Sequence, residues 1–338
     1  MRVGYNPHKD FPNGIAIHTH QVIIPVYIPD FSGYFKDGLT ILKLCLASLE
    51  KTTHSKTFIT VVNNGSCDEV IAFLNGLLSE KKIHEIVHTE NIGKPNAILK
   101  GLSGHDIEIV TICDADTMFL PGWQQETAKI FSRIPKAGVV GLVPQMKTFR
   151  TYSGNTMFDN LFNDKLRFMP LKNEDGFTKF YDSIGWFAET YNENHRKYIL
   201  ALNWDNDLKA ILGAGHFVLT YKKDIFDEVR TYLGHKLGGD SEAYLDGIAL
   251  QKDYWRLTTF DNYAYHLGNL SESWMQQELD NMTPIHSETP SGFARRKRVG
   301  YMVYFFKNRA FVKFIKTKWV YRRFLRWKKL PADMIGKY

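Results

Sequence analysis

Short apolar runs alternate with stretches of helical periodicity through the first 145 residues. HQVIIPV (20–26) is a continuous apolar run of strand length. In LTILKLCLASL (39–49), Leu39, Leu42, Cys45 and Leu49 recur at helical spacing. TFITVV (57–62) predicts a second strand, closed by Asn63-Asn64-Gly65-Ser66. Val70, Phe73, Leu74 and Leu77 predict a helix, and KIHEIVHT (82–89) a third strand. NIGKPNAILKGL (91–102) predicts a loop entering a short helix. A fourth strand runs through Ile109, Val110, Ile112 and Cys113 and ends in Asp114-Ala115-Asp116, before Pro121-Gly122-Trp123 opens another helix. This order predicts an α/β fold, a doubly wound and mostly parallel sheet with helices on both faces. Such sheets bind ligands beyond the carboxyl ends of their strands. The segments PVY, NNGS, ENIGKPN and DAD all fall at those ends.

The second half is less regular. GVVGLVP (138–144) predicts a fifth strand, but residues 145–210 carry no sustained period and are rich in Asn, Asp and aromatics. They fit loops over a pocket, and equally exposed loops with some core aromatics. ILGAGHFVLTY (211–221) predicts one strand and KKDIFDEV (222–229) a helix. Glycines then precede a helix through Tyr244, Ile248 and Leu250, and LTTFDNYAYHLGN (257–269) predicts a strand ending at His266. The expected organisation is an arm (1–19), a first half (20–145), a second half (146–270) and a C-terminal extension (271–338).

Charge changes the picture only at the C-terminal end. Net charge is +7, yet fourteen Lys or Arg and no acid lie between Arg295 and Lys329, leaving −7 for the rest. The tail, ARRKRVGYMVYFFKNRAFVKFIKTKWVYRRFLRWKKL (294–330), interleaves cations with aromatics. Taken as helical, it lines up Phe311, Phe314, Ile315 and Trp319, with Lys313 and Lys316 beside them. Two readings fit: a peripheral contact with an anionic membrane surface, or a helical extension packed on the body with a solvated basic face. Nucleic acid is a third partner class, but no named motif supports it. No stretch reaches the roughly 20 apolar residues of a membrane span. The start has no apolar signal core. Cys45, Cys67 and Cys113 form no CxxC pair and read as reduced packing thiols. A cytoplasmic protein is expected, with the tail placing it on the inner face of the membrane if it binds lipid.

Two carboxylates one residue apart at a strand end repel unless a positive object lies between them. One Asp bonding local backbone N–H groups in a turn is the plain alternative. The chemical alternative is a divalent cation held by hard oxygens, Mg2+ or Mn2+, which neutralises a diphosphate. Asn63 or Asn64 offers an acceptor oxygen for a ring N–H. Gly93 permits close backbone approach, and Lys94 supplies a cation.

With these motifs in order, the chain resembles the family 2 glycosyltransferases with the GT-A (Rossmann-like) fold, from about His20 to Asn269. Pro25-Val26-Tyr27 matches the Pro-Val-Tyr after the family's first strand. Asn63-Asn64-Gly65-Ser66 stands where the family has Asp-Asp-Gly-Ser. Asn91, Gly93 and Ala97 match Asn-x-Gly-x-x-x-Ala, with Gly101 beyond, and Asp114-Ala115-Asp116 matches D-x-D. The resemblance implies an inverting, metal-dependent glycosyltransferase of hexosyl type. Its donor would be a nucleotide sugar, UDP-linked, and its acceptor a cell-surface glycan or lipid-linked hydroxyl. It implies that Asp116 binds the metal, that Asp114 sits near ribose or metal, and that His266 completes the metal site. Pro25, Tyr27, Asn63, Asn64, Asn91, Gly93, Lys94 and Asp114 become the expected donor-binding residues. The family's catalytic base maps to Asp240, with Glu242 second. Asp240 also suits a simple helix cap and Glu242 a first-turn acid, and Asp246 lies on the same helix.

Two departures stand out. Ile28-Pro29 replaces the family's common Asn-Glu, and Asn63-Asn64 keeps acceptor oxygens while removing charge. Two other classes are compatible with parts of the pattern. One is a catalytically inactive GT-A-like nucleotide- or glycan-binding scaffold, against which intact Asp114, Asp116 and Asp240 stand. The other is a haloacid-dehalogenase-like phosphatase using DADT, whose nucleophile belongs on a first strand rather than a fourth.

Overall fold

The computed structural model describes residues 4–6, 9, 17–186, 193–234 and 239–338, the side chains of 239–242 excepted. Twelve strands are present among them: β1 His20–Val26, β2 Thr57–Asn64, β3 Glu85–Thr89, β4 Ile109–Cys113, β5 Thr117–Phe119, β6 Ala137–Gly141, β7 Leu166–Pro170, β8 Tyr198–Asn203, β9 Lys209–Leu212, β10 Val218–Lys222, β11 Trp255–Thr259 and β12 Ala264–His266. The helices are α1 Gly38–Thr52, α2 Asp68–Ser79, α3 Lys94–Leu102, α4 Trp123–Arg133, α5 Gly154–Asp159, α6 Glu174–Ser183, α7 Asn194–Lys197, α8 Gly239–Gln251, α9 Ser273–Asn281, α10 Tyr301–Phe305, α11 Phe311–Ile315 and α12 Lys318–Trp327.

Ten strands form one sheet in the order β3-β2-β1-β4-β10-β6-β11-β9-β8-β7. The four strands β3-β2-β1-β4 are parallel, as their βαβ connections require. β6 and β11 are also parallel, while β10 and the β9-β8-β7 edge run antiparallel to their neighbours. Side chains of β1 alternate between two cores, as strand geometry dictates. Val22, Ile24 and Val26 pack with Leu42, Leu46 and Leu49 of α1 and Val70 and Leu74 of α2. Ile23 faces the other way, onto Ala97, Ile98 and Leu102 of α3 and Ile248 and Ala249 of α8. Both faces are therefore covered, and functional groups are left to the carboxyl rim.

Several sequence expectations are corrected. The unpatterned 145–210 stretch is not loops alone, because β7, β8 and β9 extend the central sheet there. Residues 211–221 are two strands, not one. Gly213 takes φ +84°, and a Cβ there would stand 2.3 Å from the Thr148 carbonyl oxygen, so the chain breaks out of β9 at a position only glycine suits. β10 then enters the sheet between β4 and β6. Residues 257–269 also divide: β11 stays in the main sheet, whereas β12 leaves it to pair with β5. The 222–229 segment makes only a 3-10 turn at Lys223–Phe226.

The basic tail is part of the body. Phe311, Ile315, Phe324, Leu325, Leu330 and Met334 are buried in the core that contains β4, β6 and β8 side chains. Phe314 and Trp319, expected on the same face as Phe311 and Ile315, are instead 58% and 62% exposed. A short π-helical turn at Phe306–Ala310 separates α10 from α11 and shifts the helical register between them. Ion pairs lock the extension down: Lys307 reaches Asp159 at 2.7 Å and Asp253 at 3.0 Å, and Lys136 reaches the same two carboxylates at 2.6 and 2.8 Å.

Candidate active site

The site is built where β4 ends. The Asp114 N–H donates to the Phe217 carbonyl at 2.8 Å, and Thr117 N–H donates back to the Asp114 carbonyl at 3.2 Å, so the D-x-D runs through a tight turn into β5. β5 pairs antiparallel with β12, with His266 opposite Thr117. Leu267 N–H donates to the Asp116 carbonyl at 2.7 Å and continues that pairing. This two-stranded ribbon brings a histidine 150 positions downstream to the second aspartate.

The imidazole is held from both sides. Its Nδ1 lies 3.0 Å from the Ser183 hydroxyl at the end of α6, and Phe217 packs edge-on with ring centroids 5.1 Å apart. Nε2 lies 3.4 Å from Asp116 Oδ2. A hydroxyl on one ring nitrogen and a carboxylate facing the other is the arrangement that aims imidazole ligands at a cation. Asp116 Oδ1 is buried and accepts no hydrogen bond from the described protein groups, an acceptor whose desolvation is uncompensated. Burial raises the Asp116 pKa, and the Asp114 charge raises it further, while His266 and Lys94 act in the opposite sense. Asp114 is answered differently: Lys94 Nζ sits 2.5 Å from its Oδ1. Among the described residues no three His, Cys, Asp or Glu side chains form a cage for a metal. Asp116 and His266 thus offer two ligands, one oxygen and one nitrogen, of a type suited to Mn2+ and, through the carboxylate, Mg2+.

Beside them opens a cavity of about 410 Å3. Of the donor-binding residues expected from sequence, Pro25, Tyr27, Asn64, Asn91, Lys94 and Asp114 line it, together with Asp116. Asn63 does not. It is buried, its Oδ1 accepts from Ser66 N–H at 3.0 Å, and its amide nitrogen lies 3.0 Å from His88 Nδ1. Its work is to close the turn after β2. Gly93 is likewise behind the wall, where φ +85° starts α3 and aims Lys94 at Asp114. The side chains of Asp240 and Glu242, at the first turn of α8, lie outside the described residues. Sequence reading missed Tyr34 and Phe35, which line the cavity from the loop after β1, and Asn269 from the loop after β12. Asn269 Nδ2 donates to the Tyr34 carbonyl at 3.3 Å, so those two loops close over the cavity together. Neither loop has a periodic signal. Their proximity follows from the β5–β12 pairing together with Ser271 N–H, which donates to Asp37 Oδ2 at 2.9 Å.

Residues 21–188 match the family model described as glycosyl transferase family 2. A search of curated proteins finds no match. Among solved structures, S. aureus TarS 1-349 in complex with UDP-GlcNAc is similar at 12% identity, over 94% of this chain and 77% of that one, with a TM-score of 0.46. GalNAc-T7 with UDP, GalNAc and Mn2+ is similar at 10% identity, over 75% of this chain and 45% of that one, with a TM-score of 0.47. Residues 21–188, set in the α/β architecture their motifs imply, are a glycosyl transferase family 2 domain, and the chain is a glycosyltransferase.

Proposed function

We propose that the protein transfers a sugar, with inversion, from a UDP-sugar bound in the 410 Å3 cavity to a hydroxyl of a glycan or lipid-linked acceptor. The observation that carries this reading is the buried, unpartnered Asp116 Oδ1 with His266 Nε2 beside its second oxygen, at the mouth of that cavity. Asp116 and His266 would hold Mg2+ or Mn2+, leaving positions for oxygens from the donor. Bound there, the cation supplies charge neutralisation for the departing diphosphate. Lys94, at 2.5 Å from Asp114, adds a second positive group on the same side. Tyr27 stands edge-on to Phe35 with centroids 5.7 Å apart and offers an aromatic face to a nucleobase. Of the Asn-Asn pair only Asn64 lines the cavity, and its Oδ1 already accepts from Ile92 N–H at 3.0 Å and Thr89 Oγ1 at 3.3 Å, so its proposed part is to hold the wall against which the base would lie. Asp240, with Glu242 second, is the proposed acceptor for the proton of the incoming hydroxyl. Isothermal titration of the full chain with UDP tests the donor site: binding that requires Mn2+ or Mg2+ is expected, and metal-independent or absent binding refutes the reading.

A peripheral membrane contact by the tail is supported by the side chains it leaves exposed. Tyr301 and Phe305 stack at 6.0 Å on α10 and are 73% and 44% exposed, as is Met302 at 77%, in a segment without acids. Apolar rings ringed by Lys and Arg match an anionic bilayer surface. No helix among the described residues is long and apolar enough to cross a membrane. Deleting the tail would remove core residues, so substitution is the cleaner probe. Tyr301→Ser/Phe305→Ser should float less than wild type with vesicles containing phosphatidylglycerol, and equal flotation of the two proteins refutes the contact.

A further inference from the structure

The cations of the C-terminal extension fall into two groups. Arg296 and Lys307 reach Asp253, and Arg298 reaches Glu228 at 2.8 Å, so carboxylates of the body answer them. Arg309, Lys313 and Lys316 join no ion pair among the described residues. These three line a groove of about 500 Å3 along α11, with Asn308, Val312 and Thr317 and no acid. Their spacing of four and three residues puts them on one side of the helical segment.

The floor of the groove is fixed to the body. A Cβ at Gly154, the start of α5, would stand 2.5 Å from Val312 Cγ2 and 2.7 Å from the Lys307 carbonyl oxygen, so glycine is what lets the tail settle there. Asn308 Oδ1 accepts from Asn155 N–H at 3.1 Å, and its amide donates to the Tyr304 carbonyl at 3.2 Å. Lys307, one residue earlier, is locked to Asp159 and Asp253. The backbone under the three cations is therefore held, while their charge is left for a group outside the chain. Thr317 ends the groove ahead of α12, whose N-terminal N–H groups add positive potential.

The rim decides which anion fits. Phe314, between Lys313 and Lys316 in the chain, is 58% exposed, and Trp319 is 62% exposed. A soluble phosphate gains nothing from exposed rings. Base stacking is disfavoured because the Arg323 guanidinium already lies over the Trp319 ring, 3.9 Å from its centroid. Rings beside unanswered cations suit the interface of an anionic bilayer. The volume falls in the range of about 300–1,000 Å3 usual for small-ligand sites, room for a whole headgroup. We propose that this groove seats the phosphate of an anionic phospholipid headgroup, held by Arg309, Lys313 and Lys316, while Phe314 and Trp319 enter the interface. The proposal rests on the membrane reading of the tail and adds a headgroup site to the apolar contact of Tyr301 and Phe305.

Flotation of the full chain with phosphatidylcholine vesicles, with and without phosphatidylglycerol, tests it. Arg309→Gln/Lys313→Gln/Lys316→Gln should bind the anionic vesicles roughly a hundredfold more weakly than wild type, about fivefold for each charge. Arg295→Gln/Lys297→Gln/Arg298→Gln removes equal charge outside the groove and should cost only a few-fold. UDP affinity should be the same in both variants as in wild type. Equal losses in the two variants would leave only long-range attraction and overturn the site, as would a groove variant that binds like wild type. Wild-type protein that floats with neither vesicle refutes the membrane reading itself. Inorganic phosphate, titrated without vesicles, should not bind measurably. Tight phosphate binding that the groove variant loses would reassign the groove to a soluble anion and overturn the lipid, and so would a single-stranded oligonucleotide that binds more tightly than the vesicles.

Discussion

Asp116→Asn should reduce metal-dependent consumption of a UDP-sugar by roughly a thousandfold and, in the metal-free protein, raise the thermal midpoint. Both effects come from one geometry. The side chain ends a buried strand, its Oδ1 has no partner among the described groups, and Asp114 stands two residues away. Burial, then the neighbouring carboxylate, raises its pKa above the ordinary value of 3.8. A raised carboxyl pKa means that the folded chain holds its proton to higher pH than the unfolded chain. Stability is therefore lost as pH rises from the unfolded value through the folded one, and at neutral pH the ionised Asp116 works against folding. Asparagine keeps the shape and removes the charge. Charged sites of this kind trade stability for function. Turnover retained in Asp116→Asn, measured with Mn2+ against wild type, would sink the assigned centre. A lowered midpoint in metal-free buffer would show that the carboxylate is structural.

Asp253→Asn should destabilise the fold by about 3–5 kcal/mol, the cost of breaking a buried pair by removing one partner. Asp253 is 6% exposed and is approached by Lys136 at 2.8 Å, Lys307 at 3.0 Å and Arg296 at 3.7 Å. Lys307 and Arg296 belong to the C-terminal extension, while Lys136 lies between α4 and β6. One carboxylate therefore ties the tail to the sheet. The residue holds φ +54°, a conformation asparagine tolerates, so the substitution isolates charge from backbone strain. Chemical denaturation compared with Lys297→Met, a tail cation with no ion pair to Asp253, separates loss of this network from loss of charge alone. An Asp253→Asn midpoint equal to that of Lys297→Met would mean that the network carries little.

The four parallel strands of the first half were legible because their signals are local. β1, β2 and β4 are buried on both faces and so read as unbroken apolar runs, and α1 and α2 each bury one periodic stripe. The rim residues follow from strand order, which is why Asn64, Asn91, Lys94, Asp114 and Asp116 meet at one cavity as their motifs imply. The strands missed are short: β5 and β12 are three residues each and β9 is four, too few for a period to declare itself. Gly213 splits an apolar run whose composition reads as one strand. The tail misled in another way: one continuous helical projection puts Trp319 beside Phe311, but α11 ends at Ile315 and α12 starts only at Lys318, so the two rings sit on different helices; Phe314, on α11 itself, also faces solvent.

Sequence by itself determined the α/β class, the mostly parallel sheet of the first half, the glycosyltransferase resemblance and the acidic residues at the rim. All of these are carried by burial periodicity and by motifs only a few residues long. Only the tertiary structure decided that His266 faces Asp116, that Asn63 is spent on a turn, and that Asp253 ties Lys307 of the tail to Lys136. The His266–Asp116 and Lys307–Asp253 contacts join positions 150 and 54 residues apart through sheet pairing and buried charge, and no local pattern in the chain encodes a contact made at that range.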